Sequence, residues 1–143
     1  MRYKYYPHRS KADPNLVVLE PIIPVTLSSS NKRVTVAALI DSCSELCLFH
    51  SSIARALGLD LKSGREDRIK GIALDEIPTY LHKVSLTLRS EKPIEVEVGF
   101  LELDLLPDGG LLGQDGFFDQ FDIRFQRWQN AIHIVRRPSW VKG

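Results

Sequence analysis

Short blocks of alternating apolar and polar residues, separated by turn sequences, constrain this chain more than any other feature. Val84, Leu86 and Leu88 alternate with Ser85 and Thr87, and Ile94, Val96 and Val98 alternate with Glu95 and Glu97. A period of two places every apolar side chain on one face of an extended strand. Leu16 to Leu27, Val34 to Ile40, residues 68 to 72 and 80 to 88, 100 to 106, and the alternation from Asp122 to Val135 read as further strands. Turns are signalled by Ser28-Ser29-Ser30-Asn31, Ser90 to Pro93, Pro107-Asp108-Gly109-Gly110 and Gln129-Asn130. Pro21 and Pro24 assign the first strand to an edge or a bulge. Val36-Ala37-Ala38-Leu39-Ile40 is apolar throughout, so that stretch reads as covered on both faces. Helical signals are short. Ser51 or Ser52 caps a helix bearing Ile53 and Leu57 and ending at Gly58. Asp115 caps a second, packed through Phe117, Phe118 and Phe121. About eight strands and two short helices specify an all-β fold, a barrel or a sandwich.

The chain has 143 residues, one domain at about 150 residues per domain. Residues 1 to 15 are broken by Pro7, Pro14 and charges and read as a flexible arm in which Tyr3, Tyr5 and Tyr6 can dock. The domain proper is 16–143. Nineteen basic against eighteen acidic side chains give a net charge of +1. That balance supports neither nucleic acid nor a polybasic membrane anchor as partner. Apolar runs stop far short of the roughly 18 residues of a membrane span. The polar, basic N-terminus does not read as a secretory signal. Cys43 and Cys47 are the two cysteines, poorly spaced to bridge one another, and a reducing, cytoplasmic setting fits them. No phosphate-binding loop and no Gly-x-Ser-x-Gly elbow is present.

One residue stands out chemically. Asp41 follows directly on the apolar run and enters a turn with small polar neighbours, Ser42 and Ser44. A carboxylate at the mouth of a buried strand suits general acid or base work, and equally suits capping its own turn. Cys43, Cys47 and His50 lack an obvious fourth ligand, so a metal cluster is not read there.

The run from Val36 to Ser44 resembles the active-site segment of retropepsin-like aspartic proteases, in which apolar residues precede Asp-Thr/Ser-Gly-Ala/Ser. Gly110-Leu111-Leu112-Gly113-Gln114-Asp115 resembles the family's later apolar-apolar-Gly-Arg-Asp/Asn segment. The order of hairpin, Asp loop, flap-like hairpin, strands and Gly-x-Asp element also fits, over about residues 16 to 125. The resemblance implies an acid-protease barrel with two short helices and no cofactor or metal. It implies an aspartic endopeptidase acting on a peptide or protein substrate. Because the chain has one such Asp, it implies a homodimer with Asp41 from each subunit on the two-fold axis. Two carboxylates about 3 Å apart share one proton and activate a water between them. Activity then falls at high pH, when the proton is lost, and at very low pH, when both groups are protonated. In the same reading Ser42 locks the paired loops, Ile72, Ala73, Leu74 and Asp75 form the flap over substrate, and Gly113 and Asp115 stabilise the loop. The chain departs from the pattern at Cys43 in place of glycine, at a flap without tip glycines and at Gln114 in place of arginine. Cys43 leaves a second reading, a weak or inactive dimer that binds peptides or serves as a scaffold.

Overall fold

The computed structural model describes residues 1–70, 76–89, 91–102 and 109–138. The alternating blocks form strands β1 (Arg2–Tyr3), β2 (Tyr6–Arg9), β3 (Val17–Glu20), β4 (Ile22–Ser29), β5 (Lys32–Ile40) and β6 (Leu48–His50). They continue as β7 (Arg65–Lys70), β8 (Glu76–Thr87), β9 (Ile94–Leu101), β10 (Gly110–Leu112), β11 (Phe121–Gln126) and β12 (Ala131–Arg136). Among the described residues the one α-helix, α1, spans Ser51–Ala56.

Seven strands form one sheet in the order β4-β5-β10-β6-β9-β8-β7, and a further β4–β8 pairing closes six of them into a ring. Ile23, Val25 and Leu27 of β4, Val84 and Leu86 of β8, and Ile94, Val96 and Val98 of β9 fill it with the inward half of each alternation. Phe49 and Phe100, ring centroids 6.3 Å apart, lie fully buried within it. Pro24 is tolerated because β8 joins β4 only at Thr26–Ser28, so at Pro24 the strand has one neighbour and no second ladder bond to lose. Of the stretch expected to be covered on both faces, only Ala38 and Ile40 are buried, whereas Val36, Ala37 and Leu39 are half-buried.

The insertion of β10 shapes the site. It runs parallel to β5, with Leu112 beside Ile40, and antiparallel to β6, with Leu111 beside Leu48. Residues 41–47, which connect β5 to β6, must therefore pass over the end of β10. A side chain at Gly110 would run into the Phe49 ring, so glycine permits the close approach of β10 to β6.

Two helix readings need correction. His50, not Ser51 or Ser52, caps α1, its Nδ1 accepting the Ser52 N–H at 3.2 Å. The helix stops at Ala56 with Leu57 as its C-cap, and Gly58 follows with φ of +73°. The segment expected as a second helix is a run of turns. Gly116 takes φ of +91°, and the Phe118 and Asp119 N–H groups reach back five residues to the Gly113 and Gln114 carbonyls. Phe117 and Phe121 are nevertheless buried, their centroids 5.2 Å apart. Asp115 does not supply the cap either; Asp119 Oδ2 accepts the Gly116 N–H at 3.3 Å.

The N-terminal segment joins a second sheet, β1-β12-β11. Tyr3 and Tyr5 are buried and Tyr6 is exposed. The Tyr3 ring lies 4.0 Å from the Arg89 guanidinium, and the Tyr5 N–H donates to Asn130 Oδ1 at 2.9 Å. Asn130 closes the β11–β12 turn in the left-handed conformation. The expected docking of tyrosines is thus realised through partners far along the chain, and β2 pairs with β3 as a separate two-stranded ribbon.

Candidate active site

Asp41 sits at the exit of β5, where Ile40 is the last buried residue. Its N–H donates to the Leu112 carbonyl at 3.0 Å, so the end of β10 fixes where the strand stops. Its side chain is half-buried, and Oδ1 accepts the Cys43 N–H at 2.9 Å. This bond folds the turn around the carboxylate and orients it. Both sequence readings of Asp41, turn former and reactive group, are therefore compatible with one geometry.

The loop that follows is laced to the segment after β10. Gln114 and Asp115 donate their N–H groups to the Ser44 and Glu45 carbonyls at 2.9 and 2.7 Å. Gln114 Nε2 donates to the Ser42 carbonyl at 2.7 Å. Ser44 Oγ donates to the Leu46 carbonyl at 2.7 Å. Gly113 lies so close that an added Cβ would run into the carbonyls of Leu46 and Ser44. Cys47 is fully buried behind the loop, donating to the Asp115 carbonyl and accepting the Gly113 N–H, both at 3.4 Å. Burial pushes its thiol up to about 11, so it stays protonated and available as a donor. The bridging role of Cys47 follows from the insertion of β10 between β5 and β6.

A cleft of about 740 Å³ opens over the loop, between it and the β7–β8 hairpin. Asp41, Cys43 and Ser44 line it with apolar Leu48, Leu81 and Leu111. Arg65 and Arg68 of β7 line the same cleft, and Arg65 Nη2 pairs with Glu97 Oε1 at 2.8 Å. The arginines were not singled out from the sequence, in which the strand was placed at residues 68 to 72; β7 starts earlier, at Arg65. Ser42 is exposed at the loop's surface, and Asp115 contributes to the lining. β7 and β8 pair from Arg65 with Leu81 to Lys70 with Glu76. The flap residues Ile72, Ala73, Leu74 and Asp75 lie outside the described residues.

Cys43 is exposed, and its φ is not among the positive values, so a side chain at this position imposes no left-handed strain. Both cysteines are free thiols. Among the described residues no group of three or more His, Cys, Asp or Glu is placed to hold a metal ion, and no helix is long and apolar enough to cross a membrane.

Among curated proteins no sequence gives a significant match. Among solved structures, the chain is similar to a retropepsin-like aspartic protease from Rickettsia conorii (TM-score 0.60, 17% identity, 94% of this chain and 98% of that one). It is similar to the retroviral protease-like domain of Ddi1 from Leishmania major (TM-score 0.59, 15% identity, 86% of this chain and 98% of that one). It is also similar to the EIAV protease in complex with an inhibitor (TM-score 0.50, 15% identity, 66% of this chain and 82% of that one). At these identities the likeness is one of fold. A sequence model described as aspartyl protease matches residues 23–115, a span holding both the Asp41 loop and its Gly113–Asp115 brace. With that match over most of its length and with its retropepsin-like fold, the chain belongs to the aspartyl protease family.

Proposed function

We propose that residues 16–143 form a single aspartic endopeptidase domain that works as a homodimer, one Asp41 from each subunit meeting on the two-fold axis. The observation that carries this reading is the placement of Asp41. Its carboxylate is oriented by the Cys43 N–H and lines a cleft of about 740 Å³. In the mechanism, one carboxylate is ionised and takes a proton from a bound water. The other is protonated and donates a hydrogen bond to the scissile carbonyl, polarising it. The water oxygen bonds to the carbonyl carbon, and proton transfer to the leaving nitrogen then breaks the C–N bond without a covalent enzyme intermediate. Ser42 locks the two loops across the axis. By the family resemblance, Ile72, Ala73, Leu74 and Asp75 serve as the flap over the substrate. Two free thiols suit a reducing, cytoplasmic setting.

The second reading is a dimer that holds peptides without cutting them, favoured by one observation: the Cys43 side chain lines the cleft beside Asp41. Digestion of a peptide library by wild type, Asp41→Asn and Cys43→Gly, in reducing agent across acidic to neutral pH, decides between them. Cleavage by wild type that is lost in Asp41→Asn supports the peptidase. Peptide binding without cleavage in wild type, with cleavage gained in Cys43→Gly, supports the binding module.

A further inference from the structure

The outward face of the main sheet is polar where β4, β5 and β8 meet. Val25 and Leu27 of β4 and Leu86 of β8 turn inward and are buried, so the alternation sends Thr26, Ser28 and Thr87 to the other side. Strand pairing then groups them. Thr26 stands opposite Thr87, and Ser28 stands opposite Arg33 of β5. With the β4–β5 turn and the end of β8, these residues line a second pocket of about 330 Å³, which shares no lining residue with the cleft over Asp41. Small-molecule sites run from about 300 to 1,000 Å³, so this volume suffices for a small ligand.

The charge of this pocket is one-sided. Lys32, Arg33 and Arg89 line it, and among the described residues no carboxylate does. With a net charge of only +1, the chain has acids enough to balance three cations. Yet among the described residues no ion pair engages any of the three. Glu95 of the neighbouring β9 accepts the Ser85 hydroxyl instead. The Tyr3 ring, its centroid 4.0 Å from the Arg89 guanidinium carbon, positions that group without neutralising it. Backbone strain gathers at the same place. Among the described residues three non-glycine residues have positive φ, and two of them, Ser30 at +52° and Arg89 at +47°, line this pocket. Such residues cluster where a ligand is held.

We propose that this pocket binds a phosphoryl group, carried by a phosphate ester or a diphosphate. Two arginines and a lysine supply more positive charge than one carboxylate balances, and a guanidinium presents paired N–H donors that match phosphate oxygens. The Ser28 and Thr87 hydroxyls add rotatable donors for the remaining oxygens. Thr26, its hydroxyl paired with that of Thr35 at 2.8 Å, walls the pocket between them. The site is separate from Asp41 and does not depend on the peptidase reading. A free diphosphate and a phosphorylated side chain present the same oxygens to it.

Isothermal titration calorimetry of the full chain at low salt tests the proposal, with pyrophosphate as the free diphosphate and blocked phosphoserine as the side-chain form. At least one probe binds at one site per chain, and the tighter of the two names the source. Arg33 is exposed, so Arg33→Gln removes charge from the pocket without touching the core, and it weakens binding by roughly tenfold or more. Ser28→Asp sets a carboxylate inside the pocket and abolishes binding. Asp41→Asn binds as wild type does. Circular dichroism confirms that each variant is folded. No saturable heat from either probe at two temperatures overturns the site, as does wild-type affinity in a folded Arg33→Gln or Ser28→Asp chain. Binding lost in Asp41→Asn places the anion in the cleft instead and equally overturns it.

Discussion

The Asp41 loop and the β11 edge are two surfaces of the same small domain, built on opposite principles. The loop is closed upon itself. Leu112, Gly113, Gln114 and Asp115 tie down residues 41–47 with main-chain and side-chain bonds, and buried Cys47 fills the space behind. Among the described residues the β11 edge is left open, with an apolar ring half-exposed and opposite charges two residues apart on one strand. The difference sets a rigid loop against an open edge. In the proposed dimer, each chain holds its own carboxylate rigidly and a second copy supplies its twin.

Breaking the loop's chemistry without its structure gives the largest effect. Asp41→Asn keeps an acceptor for the Cys43 N–H and removes the ionisable group. Peptide cleavage falls by about 10³-fold or more, with an unchanged circular dichroism spectrum; retention of a tenth of the activity would remove Asp41 from the chemistry. Breaking the loop's structure comes next. Gly113→Ala drives a Cβ into the Leu46 and Ser44 carbonyls and lowers stability by about 1–3 kcal/mol in denaturant titration. Unchanged stability would mean the loop and the end of β10 move apart freely.

Raising the pH acts more gently on the same contact. Cys47 has a folded-state pKa raised from 9.0 to about 11, so the folded chain holds its proton more tightly than the unfolded chain does. The stability this contributes is fully present below pH 9 and is lost as pH rises through about 11, on the order of 2 kcal/mol. Cys47→Ser shows a shallower loss over that window. The same burial makes Cys43, and not Cys47, the thiol that iodoacetamide labels in the native protein, as peptide mapping reads out. The smallest effect belongs to Gln114→Ala, which removes one hydrogen bond to an exposed loop and costs about 0.5–1.5 kcal/mol. A loss larger than that of Gly113→Ala would make the side-chain bond, and not the close backbone approach, the main brace.

The sequence makes the longer strands, the Asp41 turn and the Gly113–Asp115 element legible because each is written in local pattern: alternation, an apolar run that stops, a glycine before a polar pair; β1 and β2, within the segment read as a flexible arm, and β10 are not. What escapes it is non-local or torsional. Nothing near Gly116 announces its left-handed φ, which turns an expected helix into successive turns. Nothing near Tyr5 points to Asn130, its partner 125 residues away. The half-exposure of Val36, Ala37 and Leu39 depends on what covers β5, which apolar residues alone do not reveal. The role of Cys47 appears only once β10 is seen lying between β5 and β6.

The central claim is that one site needs an Asp41 from each of two chains. Wild type and Asp41→Asn chains, unfolded together and refolded at varied ratios and fixed total concentration, test it directly. If both carboxylates are required, the cleavage rate follows the square of the wild-type fraction, because only doubly wild-type dimers cut. A rate that falls in simple proportion to the wild-type fraction would show that each chain works with its own Asp41 alone, and would contradict the account.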